Sequence, residues 1–141
     1  MNKLIFIGID GMDPKITEQM MDAGHLPNFS RLASNGSYKK LNTLNPAQSP
    51  VVWSTISTGV YPGEHGIFDF ILRDPASYKP YLSLQQIKDG KYINPVKAET
   101  FWEKRAGDGI GSVILKWPMG FPPRPFTDGR MLAGLGVPDL R

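Results

Sequence analysis

Apolar and polar positions fall into blocks along the 141-residue chain, and the blocks carry most of the structural signal. Leu4-Ile5-Phe6-Ile7-Gly8-Ile9 is an apolar, β-branched-rich run that stops at Asp10-Gly11. Such a run predicts a strand buried on both faces, of the kind parallel sheets contain. Asp13-Pro14 then predicts a helix start, with Asp as N-cap and Pro in the first turn. Ile16, Met20 and Met21 supply its apolar stripe and Gly24 its stop. A second short helix is expected from Pro27 through Phe29 and Leu32 to Ser34, and a strand from Ser37 to Leu44. A third helix should begin at Pro50 with Ser49 as N-cap, carry Val51, Val52, Trp53 and Ile56, and end at Gly59. Beyond Phe70 the pattern weakens, and Arg73 to Lys97 reads as an excursion or hairpin. Thr100 to Arg105 reads as a helix, Gly111 to Trp117 as a second buried strand, and Arg130 to Leu135 as a strand or hairpin arm. Strands alternating with helices predict an α/β fold with a largely parallel sheet.

Composition narrows the chemistry. With no Cys, the chain has no thiolate nucleophile, no Cys-bound zinc and no disulfide frame. The length predicts one domain, large enough to build a core without such staples. Sixteen basic and thirteen acidic residues leave a net charge of +3. The basic residues are scattered, so no specific nucleic-acid partner is expected. The N-terminal apolar run is too short for a membrane span and lacks a signal-peptide cleavage site, so no membrane partner and a cytoplasmic location are expected. No charged residue occurs from Leu41 to Gly63, although Ser, Thr, Asn and Gln are frequent there. This composition suits a buried helix with one polar end facing a cavity.

Two positions stand out as candidate chemistry. Asp10 directly follows a predicted buried strand, at the carboxyl end where open α/β sheets bind ligands, and it also suits an ordinary turn before Gly11. Ser49 heads the uncharged helix. As an N-cap it would leave the backbone N–H groups of Val51 and Val52 around whatever its hydroxyl touches, a setting that favours phosphate and an alkoxide on the Ser oxygen. The same Ser-Pro start is also a common structural cap. Asp13 reads as a cap, His65 as a loop residue, His25 as a helix C-terminal residue, Lys116 as a strand-end cation and the three tryptophans as core.

Four segments occur in order: Gly8-Ile9-Asp10-Gly11-Met12-Asp13; Leu26-Pro27-Asn28-Phe29 with Leu32 and Gly36; Ser49-Pro50-Val51-Val52-Trp53-Ser54-Thr55; and Thr58-Gly59-Val60-Tyr61-Pro62 with His65-Gly66-Ile67. Together they resemble the type I phosphodiesterase/nucleotide pyrophosphatase branch of the alkaline phosphatase superfamily. The likeness is good over about positions 4–72 and looser from Phe101-Trp102-Glu103 to Trp117-Pro118. It implies a layered α/β/α, alkaline-phosphatase-like fold and a two-metal phosphohydrolase acting on a phosphorylated small-molecule substrate. Two divalent ions, zinc or else manganese or iron, are implied as cofactors.

By the same resemblance Asp10 is a metal ligand, and Ser49 is both the nucleophile and a metal contact. From the N-cap reading of Ser49, and not from the resemblance, Val51 and Val52 are expected as backbone donors to substrate. The family's remaining Asp and His ligands lie in a later half, and this chain has only His25 and His65. The 141 residues are therefore expected to form the N-terminal portion of a single catalytic domain, inactive alone. A phosphomutase of the same superfamily and a non-catalytic phosphate-binding or scaffold domain are the alternative expectations.

Overall fold

The computed structural model describes residues 3–138. The chain divides into two compact units, one ending at Asn42 and one beginning at Thr43.

In the first unit, helix α1 (Pro14–Asp22) is capped as the sequence predicts: the Asp13 carboxylate accepts from the Ile16 N–H at 2.9 Å and Pro14 lies in the first turn. Its other end closes with Gly24 at φ +77°. The Gly24 N–H donates to the Met21 carbonyl and the His25 N–H to that of Met20, the pair of bonds that satisfies terminal helix carbonyls. Helix α2 (Pro27–Asn35) follows, and Lys40 pairs with Glu18 at 2.9 Å. Two expectations fail here. Neither Leu4–Ile9 nor Ser37–Leu44 forms a strand, and Leu4 and Ile7 are 87% and 77% exposed. An apolar run forms a strand only where a ladder partner exists, and among the described residues neither segment belongs to a sheet. Thr17 is the one buried residue described in this unit, so its helices carry apolar stripes without a core beneath them.

The second unit holds the core. Helix α3 (Ser49–Thr58) is followed by the single turn α4 (Pro62–His65). The expected excursion resolves into two antiparallel hairpins, β1 (Ile71–Arg73) with β2 (Pro80–Leu82) and β3 (Gln86–Lys88) with β4 (Lys91–Ile93). Helix α5 (Phe101–Ala106) then leads to β5 (Ser112–Trp117), which pairs in parallel with β6 (Gly129–Ala133). Small antiparallel sheets and one parallel pair make a mixed α/β architecture.

Trp53, Trp102, Ile114 and Trp117 form the main core cluster, and the rings of Trp53 and Trp102 meet that of Trp117 edge-on at 5.3 and 5.2 Å. A bulge makes this possible. Leu115 pairs with Leu132 and Trp117 with Ala133, so Lys116 is an extra residue in β5. Its insertion shifts the side-chain alternation by one and turns Trp117 to the same buried face as Ile114. Lys116 adopts φ +52°, and the opposing residue must be glycine: a Cβ on Gly134 would lie 2.2 Å from the Lys116 carbonyl oxygen. The other face of the pair leaves Val113, Leu115 and Leu132 exposed. A smaller cluster of Ile67, Val96 and Met119 seats the hairpins, with Leu84 packed against it.

Candidate functional site

Asp10 lies in a turn with Gly11, at φ +65°, and is exposed. It belongs to the first unit, and Ser49, half-buried at the opening of α3, to the second.

The local sequence explains the platform under Ser49. Pro50 suits the first turn of α3, and Gly59, at φ +73°, ends it by donating its N–H to the Thr55 carbonyl at 2.8 Å. Pro50, Val51, Trp53, Ser54, Ser57 and Thr58 bury one broad face. Three contacts from elsewhere in the chain then fix the helix. The Trp117 indole Nε1 donates to the Trp53 carbonyl at 3.4 Å, the Lys104 Nζ donates to the Thr58 carbonyl at 3.1 Å, and the His65 Nε2 lies 2.9 Å from the Thr55 Oγ1. The lysine also places a positive charge at the negative end of the helix dipole. A hydroxyl mounted on a helix held in this way has little freedom of position, which is what catalytic and binding groups require.

The helix start corrects one expectation. Gln48, not Ser49, occupies the N-cap position, and its side chain makes no capping bond. The N–H groups of Val51 and Val52 both donate to the Gln48 carbonyl, each at 3.0 Å. Because the helix begins one residue earlier than the Ser-Pro signal suggests, these donors are spent on the first helical turn and are not free beside the Ser49 hydroxyl. Pro50 has no N–H to offer in their place.

His65 is fully buried, and both ring nitrogens are engaged. The Ile67 N–H donates to Nδ1 at 3.1 Å, which makes Nδ1 an acceptor and puts the proton on Nε2, from where it is donated to Thr55. Burial pushes the imidazole pKa below its ordinary value, so the neutral form is the resident one. The ring pins α4 to α3 in the structural role the sequence suggested. His25 is exposed just past the end of α1, also as expected.

Arg124 was not legible as a key residue. Its Nε and Nη2 donate to the two carboxylate oxygens of Glu103, each at 2.7 Å, while Nη1 and Nη2 reach the carbonyls of Val96 and Ala98 at 2.8 Å. Glu103 also accepts from the N–H and the hydroxyl of Thr100, each at 2.7 Å, at the start of α5. Burial raises the Glu103 pKa, but the Thr100 N–H, the Arg124 guanidinium and the Thr100 hydroxyl together outweigh it and hold the carboxyl below its ordinary range. The sequence reads Thr100 to Arg105 as a helix, but nothing local marks Arg124.

Among the described residues no three His, Asp or Glu side chains gather as a metal centre would require. Asp10 and Ser49 would supply two donors where two metal centres take about eight. The residues present therefore do not constitute the metal site, and no catalytic step is derived through one.

Compared with known proteins, residues 4–134 match the model of the family described as type I phosphodiesterase / nucleotide pyrophosphatase. The chain is also similar to human (Homo sapiens) ectonucleotide pyrophosphatase/phosphodiesterase family member 1, with 31% identity over 98 residues. That stretch is 67% of this chain and 10% of the human protein, so the chain spans about a tenth of that relative's length. No solved structure matches.

Proposed function

This chain belongs to the type I phosphodiesterase/nucleotide pyrophosphatase family, and on that footing we propose that it is the N-terminal portion of a metal-dependent phosphohydrolase with Ser49 as nucleophile. The observation that carries the reading is the seat of Ser49: the first residue of a helix buried along one face and fixed by Trp117, Lys104 and His65. In the proposed reaction the Ser49 Oγ bonds to phosphorus as the P–O bond to the leaving group breaks. Water then cleaves the phosphoserine, releases phosphate or a phosphomonoester, and restores the hydroxyl. Asp10 is assigned to a metal, and two divalent cations belong to the whole enzyme, which brings the remaining ligands.

The bare apolar surfaces support the fragment part of the proposal. Strands of parallel sheets are covered on both faces, whereas β5–β6 exposes Val113, Leu115 and Leu132, and Leu4–Ile9 is exposed and lies outside the sheets of the described residues. In the layered α/β/α fold proposed for the whole enzyme, further strands and a second helix layer cover each of them.

The test has two parts. The isolated chain should bind zinc weakly and hydrolyse bis(p-nitrophenyl) phosphate at the background rate. In the complete enzyme Ser49→Ala should abolish turnover and leave the fold intact, while Ser49→Thr retains measurable activity. Normal turnover by Ser49→Ala would end the assignment, and robust turnover by the isolated chain would end the fragment reading.

A further inference from the structure

The net charge of the chain falls within one segment of the sequence. Residues 71–97, which include both hairpins, carry five basic side chains against two acidic ones, and the other 114 residues carry eleven of each. The two acidic residues sit at the hairpin turns. Asp74 accepts from the N–H groups of Ala76 and Ser77 and from the Ser77 hydroxyl. Asp89 takes φ +51° beside Gly90 at φ +74°, the pairing that a two-residue hairpin turn demands.

Strand register shows how the basic residues are displayed. Lys88 and Lys91 are direct cross-strand partners, and both are exposed. Like charges facing one another across a hairpin destabilise it unless an anionic surface lies against them. Next to that pair on the same face is Gln86 opposite Ile93, and the opposite face carries Ile87 against Tyr92. Ile87 is 64% exposed. In the other hairpin Ile71 faces Leu82, also exposed, with Arg73 the next position along. Each hairpin thus sets exposed aliphatic side chains beside lysine or arginine, with tyrosines close by.

Exposed apolar groups rimmed by charge mark a surface that something else covers. We propose that each hairpin is a peripheral docking element for an anionic lipid bilayer, with the basic side chains at the headgroups and the aliphatic side chains that share their face, Ile93 beside Lys91 and Ile71 with Leu82 beside Arg73, in the headgroup–acyl boundary. The aliphatic content favours lipid over a polynucleotide, because single-stranded nucleic acid is held by stacking on aromatic faces, to which isoleucine and leucine contribute nothing. This replaces the sequence-based expectation of no membrane partner, which rested on the lack of a span; among the described residues no helix is long and apolar enough to cross a membrane. Surface docking needs none.

The experiment uses the 141-residue chain with vesicles of phosphatidylcholine, with and without one-third phosphatidylserine, read by co-sedimentation over a salt series. Binding is expected on the anionic vesicles alone and should weaken steeply with salt. The double variant Lys88→Gln/Lys91→Gln should lower it by roughly 25-fold, about five-fold per lysine. Ile71→Ser, on the face that carries Arg73, should lower affinity while leaving the salt dependence unchanged. All three side chains are exposed, so none of these changes should lower the melting temperature. Equal binding to neutral vesicles, undiminished binding by the double lysine variant, or tighter binding to single-stranded polythymidine than to anionic vesicles would each overturn the proposal.

Discussion

Replacing Arg124 with Ala should unlock the second unit. The guanidinium is 30% and the Glu103 carboxylate 12% exposed, so this pair is screened far less than a surface ion pair. Removing one partner of a buried pair costs about 3–5 kcal/mol, because the other charge stays buried and unmatched. Partial exposure of the arginine and the remaining Thr100 bonds to Glu103 reduce that figure, whereas the carbonyls of Val96 and Ala98 lose donors at about 1 kcal/mol each. The balance is a loss of about 3 kcal/mol, which for a unit of this size lowers the melting temperature by roughly 15 °C. Tryptophan fluorescence during urea or thermal unfolding reads it directly, since Trp53, Trp102 and Trp117 all lie in the main core. Arg124→Lys keeps the charge but not the two-pronged geometry, and should fall between the two. Wild-type stability in Arg124→Ala, within about 0.5 kcal/mol, would refute the claim that this arginine ties the segment 96–103 to the loop before β6.

Four further outcomes are expected. Because burial holds the His65 pKa below its ordinary 6.5, the unfolded chain binds a proton that the folded chain refuses, so stability is full above that pH and falls as pH drops toward the folded value. His65→Asn should flatten this part of a pH series of urea midpoints, and an unchanged slope would contradict the assignment. Glu103, held below its ordinary 4.5, acts in a separate window, its contribution being lost as pH falls below that value; Glu103→Gln should remove that part alone. The Ser54 hydroxyl is buried with no hydrogen-bond partner, while Ser57 and Thr58 donate to the Ser54 backbone carbonyl, so Ser54→Ala should raise stability by about 1 kcal/mol; a comparable loss would show that the hydroxyl is satisfied in solution. The exposed apolar run Leu4–Ile9 should drive concentration-dependent association of the isolated chain, and Ile7→Lys should suppress it in sedimentation velocity. A monodisperse wild type would contradict this.

Helices were the legible part of this fold because their signals are local. Asp13-Pro14 and Gly24, Pro27 and Gly36, Pro50 and Gly59 bracket α1, α2 and α3 to within a residue or two, and the helix expected from Thr100 to Arg105 is α5 to within one residue at each end. Strands were legible only where a partner was present. Val113-Ile114-Leu115 found β6, whereas the equally apolar Leu4–Ile9 remained irregular, since periodicity reports a wish for burial and not the presence of a covering surface. The bulge at Lys116 was invisible because it depends on the register with β6 and on Gly134 across from it. For the site, the Ser-Pro opening of α3 was found from sequence, but the N-cap was off by one residue, and that single step consumed the Val51 and Val52 donors. Arg124 escaped notice because its four hydrogen bonds go to three residues more than twenty positions away.

The central claim is that the Ser49 oxygen receives the phosphoryl group. Acid-quenched turnover of the complete enzyme, followed by peptide mass spectrometry, measures this directly. The account expects one phosphorylated peptide, carrying the modification on Ser49 and absent from Ser49→Ala. A phosphorylated residue elsewhere, with Ser49 unmodified under active turnover, would contradict it.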